Sequence, residues 1–438
     1  MENTHRISLV LSLAGPSVVA LVARAEVCQR NGGLLEAVQC LELAVRLCPD
    51  YRLLANLGDA LWLADQAVQA LDPYWRAVQL APGDPVVYRG LANVYVDLGK
   101  FEEADRAYRR SLELAADGAT AWNRSQLLVG LERYLEGYAL AERRLDMDVP
   151  KFFRGPSQRC TCLEQLKQGP LRVWSEQGFG DILQHLRWLG PLMQLRQEAE
   201  APVVLEVEAA LVGLLKEALL PIYRVVEVSA KTTQVSPPIE GVHVSLLSLP
   251  HFLGGAPIPA RATWLNSAAW PSAVELKGGQ LRGRQPRIGV VWAAGCKSED
   301  PFQRREYLKR SLPPQALGQL VLGLREAGLT PVNLQFGPDR EVADTLEPGF
   351  VEQMAHDADF AATAAMVAEL DLVITVDTAM AHLVGAMGRP GWVLLPWSAA
   401  PRWLRDRHDS PWYPSLRLFR QPQPGNWSAV VDAVLKEV

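Results

Sequence analysis

A period of 34 residues in the first third of the chain constrains its fold more than any other feature. Residues 51–84 and 85–118 superimpose without a gap. The first carries Leu54, Leu57, Gly58, Leu61, Ala70, Tyr74, Ala77 and Pro82; the second carries Tyr88, Leu91, Ala92, Tyr95, Gly99, Ala104, Tyr108 and Ser111. A preceding unit at 18–51 has Ala25, Gly32, Ala37, Leu41, Ala44 and Pro49. A repeat of this length is one helical hairpin, which cannot bury its apolar face alone and must stack on its neighbours. The small residues Gly58, Ala70, Ala92 and Ala104 predict paired helices in close approach. Leu61, Tyr74, Tyr95 and Tyr108 are expected to fill the space between hairpins.

The pattern resembles the tetratricopeptide (TPR) family over residues 18–145, with a degenerate fourth unit that includes Trp122 and ends at 136–144. The resemblance implies an α-solenoid over 1–145 whose groove holds a protein or peptide partner.

Residues 146–170 lose the helical period and gather Pro150, Gly155, Pro156, Gly169 and Pro170, which marks a linker. Beyond it, β-branched runs at 171–174, 202–207, 223–228, 242–247, 287–292, 331–336, 370–376 and 391–396 alternate with helical stretches. That alternation predicts parallel sheets with covering helices in two lobes, 171–284 and 285–438. The fold class is therefore α plus α/β. A net charge of -5 without a basic run excludes a general nucleic-acid surface. The apolar stretch 8–23 is interrupted at Gly15-Pro16 and reads as a capping helical segment, so no transmembrane segment is expected. Cys28, Cys40, Cys48, Cys160, Cys162 and Cys296 match neither a zinc spacing nor a disulfide framework and are read as reduced thiols, consistent with a cytoplasmic protein.

Ligands in parallel α/β folds sit beyond the carboxyl ends of the strands, so the strand-to-helix loops are the candidates for chemistry. In DLVITVDTAMAHLVGAMGRP (371–390), a strand runs through Asp377 into Thr378, a favourable N-cap. The amides of Ala379, Met380 and Ala381 are expected to face outward and attract phosphate, with His382 on the same face. A capped core helix with a buried histidine fits the spacing equally well. In LRVWSEQGFGDILQH (171–185), Gly178 and Gly180 permit a tight turn with close ligand approach, and Asp181 opens a helix. Asp181 reads either as a base or as an N-cap, and the two roles compete. The loop 293–311 is cationic, with Lys297, Arg304, Arg305, Lys309 and Arg310, and by default is solvated. The aromatic residues Trp397, Trp403, Trp412 and Tyr413 are read as packing. Asp146-Met-Asp148 and Asp357-Ala-Asp359 have the form of metal-binding pairs, but neither follows a strand, and Asp359 is expected to cap a helix.

Together SEQGFGD through Gln184, Arg310-Ser311, NLQFG (333–337), residues 358–390 and DSPWYPSLRLFRQ (409–421) resemble bacterial TPR-glycosyltransferase fusions. Their catalytic half is similar to the ADP-heptose heptosyltransferases and, more distantly, to O-GlcNAc transferase, both of the two-lobed GT-B fold. The resemblance implies a glycosyltransferase that moves a sugar from a nucleotide diphosphate sugar to a hydroxyl, with inversion and without a metal or other cofactor. It assigns the base to Asp181 and the donor phosphates and sugar to Asp377, Thr378, Ala379 and His382. It places Lys297 at the leaving diphosphate and Gln335 at the nucleotide. Glu176, Gln177, Gly178, Gly180, Gln184, Arg310 and Ser311 support the acceptor side and the loops. The acceptor is expected to be a protein chosen by the repeats. A glycolipid acceptor and a non-catalytic TPR scaffold are the alternatives.

Overall fold

The computed structural model describes residues 16–146, 157–197, 199–231, 241–255, 285–295, 300–346 and 349–438. Of the capping segment 8–23, residues 8–15 lie outside this set, as do residues 147–156 of the glycine- and proline-rich linker. Among the described residues, no helix is long and apolar enough to cross a membrane. The chain divides into two compact units, one of residues 1–129, 143–147 and 296–309, the other of residues 130–142, 148–295 and 310–438.

The first unit is an α-solenoid. Its helices are α1 (Pro16–Asn31), α2 (Leu34–Leu47), α3 (Tyr51–Leu63), α4 (Ala67–Leu80), α5 (Pro85–Asp97), α6 (Phe101–Leu114) and α7 (Gly118–Gly130). Aspartates at the repeat spacing set where hairpins begin. Asp50 accepts from the Arg52 amide at 2.8 Å, and Asp84 from the Val86 and Val87 amides at 2.9 and 3.2 Å. Asp117 accepts from the Thr120 amide at 2.8 Å. Each satisfies helix-start amides that have no intrahelical partner, and Pro85 occupies a first-turn position where its missing N–H costs nothing.

Tyr74 shows why the small residues matter. A Cβ on Gly58 would lie 2.6 Å from its ring, and a Cβ on Gly90 would lie 2.3 Å from its hydroxyl oxygen. One tyrosine is thus wedged between α3 and α5, and only glycine at both positions admits it. Its hydroxyl donates to Asp59, and one repeat later Tyr108 donates to Asn93 at 2.6 Å. Tyr95 is half-buried and packs against the apolar cores on both sides of it, as expected of a residue between hairpins, while its hydroxyl oxygen accepts from Trp75 Nε1 at 2.9 Å.

The helix Pro301–Arg310 corrects the reading of a solvated cationic loop. Phe302 stacks on Trp62 with centroids 5.8 Å apart. Arg305 is only 3% exposed. It donates to the Trp62 carbonyl at 2.9 Å, to Asp65 at 3.3 Å and to Asp97, and lies 4.5 Å over the Trp62 ring. An arginine goes into a protein interior when its donors and its charge are both met, and here two carboxylates, a carbonyl and an indole meet them.

The second unit contains two all-parallel sheets. Strands β1 (Leu171–Trp174), β2 (Val203–Val207), β3 (Val226–Ala230) and β4 (Val242–Ser245) form one, in the order β3-β2-β1-β4 with Leu171 opposite Val203 and Val242. Strands β5 (Arg287–Val291), β6 (Thr330–Asn333), β7 (Glu352–Gln353), β8 (Leu372–Val376), β9 (Gly391–Leu395) and β10 (Leu416–Arg420) form the other, in the order β10-β9-β8-β5-β6-β7. Every residue of β8 is buried, as a strand covered on both faces requires. The strand order reverses beside β1 and beside β5, and such switch points open crevices at the carboxyl ends of the strands. Trp403, Trp412 and Tyr413 are fully buried in the core, in the packing role expected of them. The five described cysteines are free thiols, while Cys296 lies outside the described residues.

Candidate active site

The loop leaving β1 is held from several sides. Ser175 Oγ donates to Glu208 at 2.8 Å, and the buried Glu176 carboxylate accepts from Ser245 Oγ at the end of β4. Gln177 takes a left-handed backbone with φ 67°. The helix Phe179–His185 then begins, with Gly178 as its N-cap. Asp181 therefore does not open the helix. It sits at the third helical position and reaches back to the Gly178 amide, which donates to its Oδ2 at 3.3 Å, as the third-position acid of a capping box does.

The loop leaving β8 meets this helix. Thr378 caps the helix Ala379–Ala386. Of the three amides expected to face outward, that of Met380 donates to Thr378 Oγ1 at 3.2 Å and that of Ala381 to the Thr378 carbonyl at 3.1 Å. A Cβ on Gly180 would lie 2.8 Å from His382 Cδ2 and 3.6 Å from the Ala379 Cα. Gly180 thus serves close approach, but of two helix starts to each other.

Arg402, in the loop after β9, joins the two. Its Nη2 donates to Asp181 Oδ1 at 2.7 Å, and its Nη1 donates to His382 Nε2 at 3.2 Å. With Nε2 accepting, the neutral His382 ring carries its proton on Nδ1, 3.0 Å from the Tyr413 hydroxyl, and it stacks on Trp403 at 5.4 Å. Arg402 and Asp181 remain 23% and 28% exposed, so the pair lines a surface that solvent reaches. Burial raises the Asp181 pKa, but the charges of Arg402 and His185 outweigh it and hold the carboxyl below its ordinary range. Burial, reinforced by the Arg402 charge, keeps His382 well below the usual imidazole value. Burial also brings His185 down to about 4, against the pull of the Asp181 carbonyl it bonds at 2.8 Å.

The remaining expected residues divide clearly. Asp377 is buried, and its carbonyl accepts from Arg310 at 3.3 Å. Ser311 Oγ accepts from the Ala294 amide at 3.0 Å and so secures the loop after β5. Gln184 is buried on the helix Phe179–His185. Gln335 is corrected. Its Oε1 accepts from the Trp292 and Ala293 amides, both at 3.0 Å, and its Nε2 donates to the Ala293 and Phe336 carbonyls at 3.2 and 2.9 Å. That is the full capacity of a primary amide, and it leaves nothing for a nucleotide. Lys297 lies outside the described residues, as does Asp148 of the first Asp-x-Asp pair. In the second pair, Asp359 caps the helix Phe360–Ala368 through the Ala362 amide at 2.8 Å, as expected.

Arg402 is the residue that sequence reasoning missed. It stands in APRWLRDR (400–407), where the aromatic residues drew attention and nothing singled out one arginine among three.

Comparison with known proteins agrees with the first unit. Residues 87–117 match the tetratricopeptide repeat family model. The Protein FlbA of Caulobacter vibrioides is 28% identical, over 91% of this chain and 69% of its own length. Among solved structures, a tetratricopeptide repeat protein from Parabacteroides merdae is 24% identical over 31% of this chain and 54% of its own, with a TM-score of 0.28. The first TPR domain of Spaghetti (RPAP3), bound there to an HSP90 peptide, is 21% identical over 27% of this chain and 96% of its own, with a TM-score of 0.26. The chain carries a TPR-type helical solenoid followed by a parallel-sheet α/β region.

Proposed function

We propose that the α/β half is a GT-B-type glycosyltransferase that moves a sugar from a nucleotide diphosphate sugar to a hydroxyl on a protein selected by the repeats. The observation that carries the reading is the cluster of Asp181, Arg402 and His382, which joins a loop from each sheet at the carboxyl ends of the strands. In the reaction, the acceptor hydroxyl passes its proton to Asp181 as its oxygen attacks the anomeric carbon. The bond from that carbon to the diphosphate breaks, and its electron pair leaves with the nucleoside diphosphate. The Arg402 guanidinium meets the charge that develops, a role that the family resemblance also gives to Lys297, which lies outside the described residues. A single displacement of this kind inverts the anomeric centre. No metal or further cofactor is invoked.

The test is Asp181→Asn with candidate protein acceptors and ADP-, GDP- and UDP-sugars. Turnover should fall by roughly 10²–10⁴-fold with no weakening of donor binding; unchanged turnover would remove Asp181 from the chemistry. One observation favours a second reading, a TPR adaptor without catalysis: both Asp181 oxygens are engaged, one by Gly178 and one by Arg402. Failure to bind any nucleotide would support the adaptor. Transfer to lipid-linked sugar alone would redirect the acceptor to a glycolipid.

A further inference from the structure

We propose that Arg402 regulates the base. The guanidinium that occupies Asp181 is also the seat of the donor diphosphate, so that donor binding and release of the base are one exchange. The inference rests on the transferase reading.

The guanidinium has one charged and one neutral acceptor, Asp181 Oδ1 at 2.7 Å and His382 Nε2 at 3.2 Å. A phosphate presents paired oxygens that suit the planar fork of arginine better than one carboxylate oxygen does. His382 is buried and locked by Tyr413 and Trp403, so it marks the fixed side of the fork. Asp181 is 28% exposed and marks the side where an anion can compete. The carboxylate keeps its place without Arg402, because its other oxygen holds the Gly178 amide at 3.3 Å.

The loop that carries Arg402 is poorly suited to swing. Trp403 is fully buried. Leu404 adopts φ 49° and ψ -176°, a strained backbone for a residue with a side chain, which persists only where the surroundings enforce it. Arg420 supplies that enforcement, donating to the Trp403 and Leu404 carbonyls at 3.4 and 2.5 Å. Exchange therefore proceeds by rotation of the Arg402 side chain over a fixed backbone.

Calorimetric titration of the full chain with pyrophosphate, then with ADP, GDP and UDP, tests the exchange. Arg402→Gln should weaken pyrophosphate binding by at least about tenfold, and Asp181→Asn should tighten it by about tenfold, because a competing charge-assisted hydrogen bond is gone. On the Arg402→Gln background the tightening should vanish. Arg402→Lys, which keeps the charge without the fork, should be intermediate and serves if the glutamine variant fails to fold by circular dichroism; on that background the tightening should shrink. Absence of pyrophosphate binding by the wild type overturns the proposal. So does an unchanged affinity in Asp181→Asn, or a tightening that survives the loss of the arginine. These arms need neither sugar nor acceptor. Exchange without transfer sinks only the transferase reading, and transfer without exchange sinks only this inference.

Discussion

Replacing Arg305 with methionine should destabilise the first unit by about 2–3 kcal/mol, a figure assembled from what the guanidinium touches. Breaking a buried ion pair from one side costs about 3–5 kcal/mol when the partner is stranded. Asp97 is not wholly stranded, since Trp62 Nε1 still donates to it at 2.7 Å and Lys309 lies 3.9 Å away. Asp65 is 52% exposed and recovers its hydration from solvent. Methionine keeps most of the aliphatic stem over Trp62, so packing contributes little to the loss. At roughly 3 °C per kcal/mol for a unit of this size, the solenoid transition should move down by about 6–9 °C. Thermal scans at 222 nm would read the shift, and limited proteolysis would register new cleavage within the Pro301–Arg310 helix. Arg305→Lys should recover only part of the loss, because an ammonium cannot serve two carboxylates and a carbonyl in one plane. A transition unmoved within about 1 °C would refute the account of the buried arginine.

Two further expectations follow from geometry and charge. Gly90→Ala drives a methyl into the Tyr74 ring and should cost about 1–3 kcal/mol. Gly83→Ala, whose added methyl meets nothing within 4 Å, should be nearly neutral, and equal melting of the two variants would refute the wedge. His382 and His185 are both held below the ordinary value of 6.5, His185 at about 4. The stability from keeping them neutral is complete above pH 6.5 and is lost as pH falls through their folded values. NMR titration of the histidine rings should show neither charging between about pH 6 and 8, and a midpoint near 6.5 for either would count against the buried, neutral assignment.

What could be read from residue order was what local chemistry decides. Gly58, Ala70, Ala92 and Ala104 recur at the period of the hairpins they pack, and the eight apolar runs became β1–β6, β8 and β9 because covered parallel strands favour such runs. β10 escaped because Arg417 and Arg420 interrupt Leu416 and Leu418 after a proline-rich turn, and the stretch resembled an aromatic packing segment. The aspartate and histidine of the candidate site were found through their loops. Arg402 was not, since its role depends on a partner 221 positions away, a distance no local pattern spans. Arg305 was misjudged for the same reason, with its carboxylates 240 and 208 positions distant. Gln335 was drawn toward a ligand because a polar residue after a strand usually invites one, whereas four backbone groups absorb it here.

The solenoid borrows a helix from far downstream, and this makes it topologically incomplete until most of the chain exists. During synthesis the indole of Trp62 and the carboxylate of Asp97 emerge long before Phe302 and Arg305 arrive to cover them. Until the intervening polypeptide is made, a nascent repeat array has the Trp62 ring without its Phe302 stack and the Asp97 carboxylate without its arginine. The last step in completing the first unit therefore belongs to residues 301–309, which follow the four-stranded sheet in the sequence.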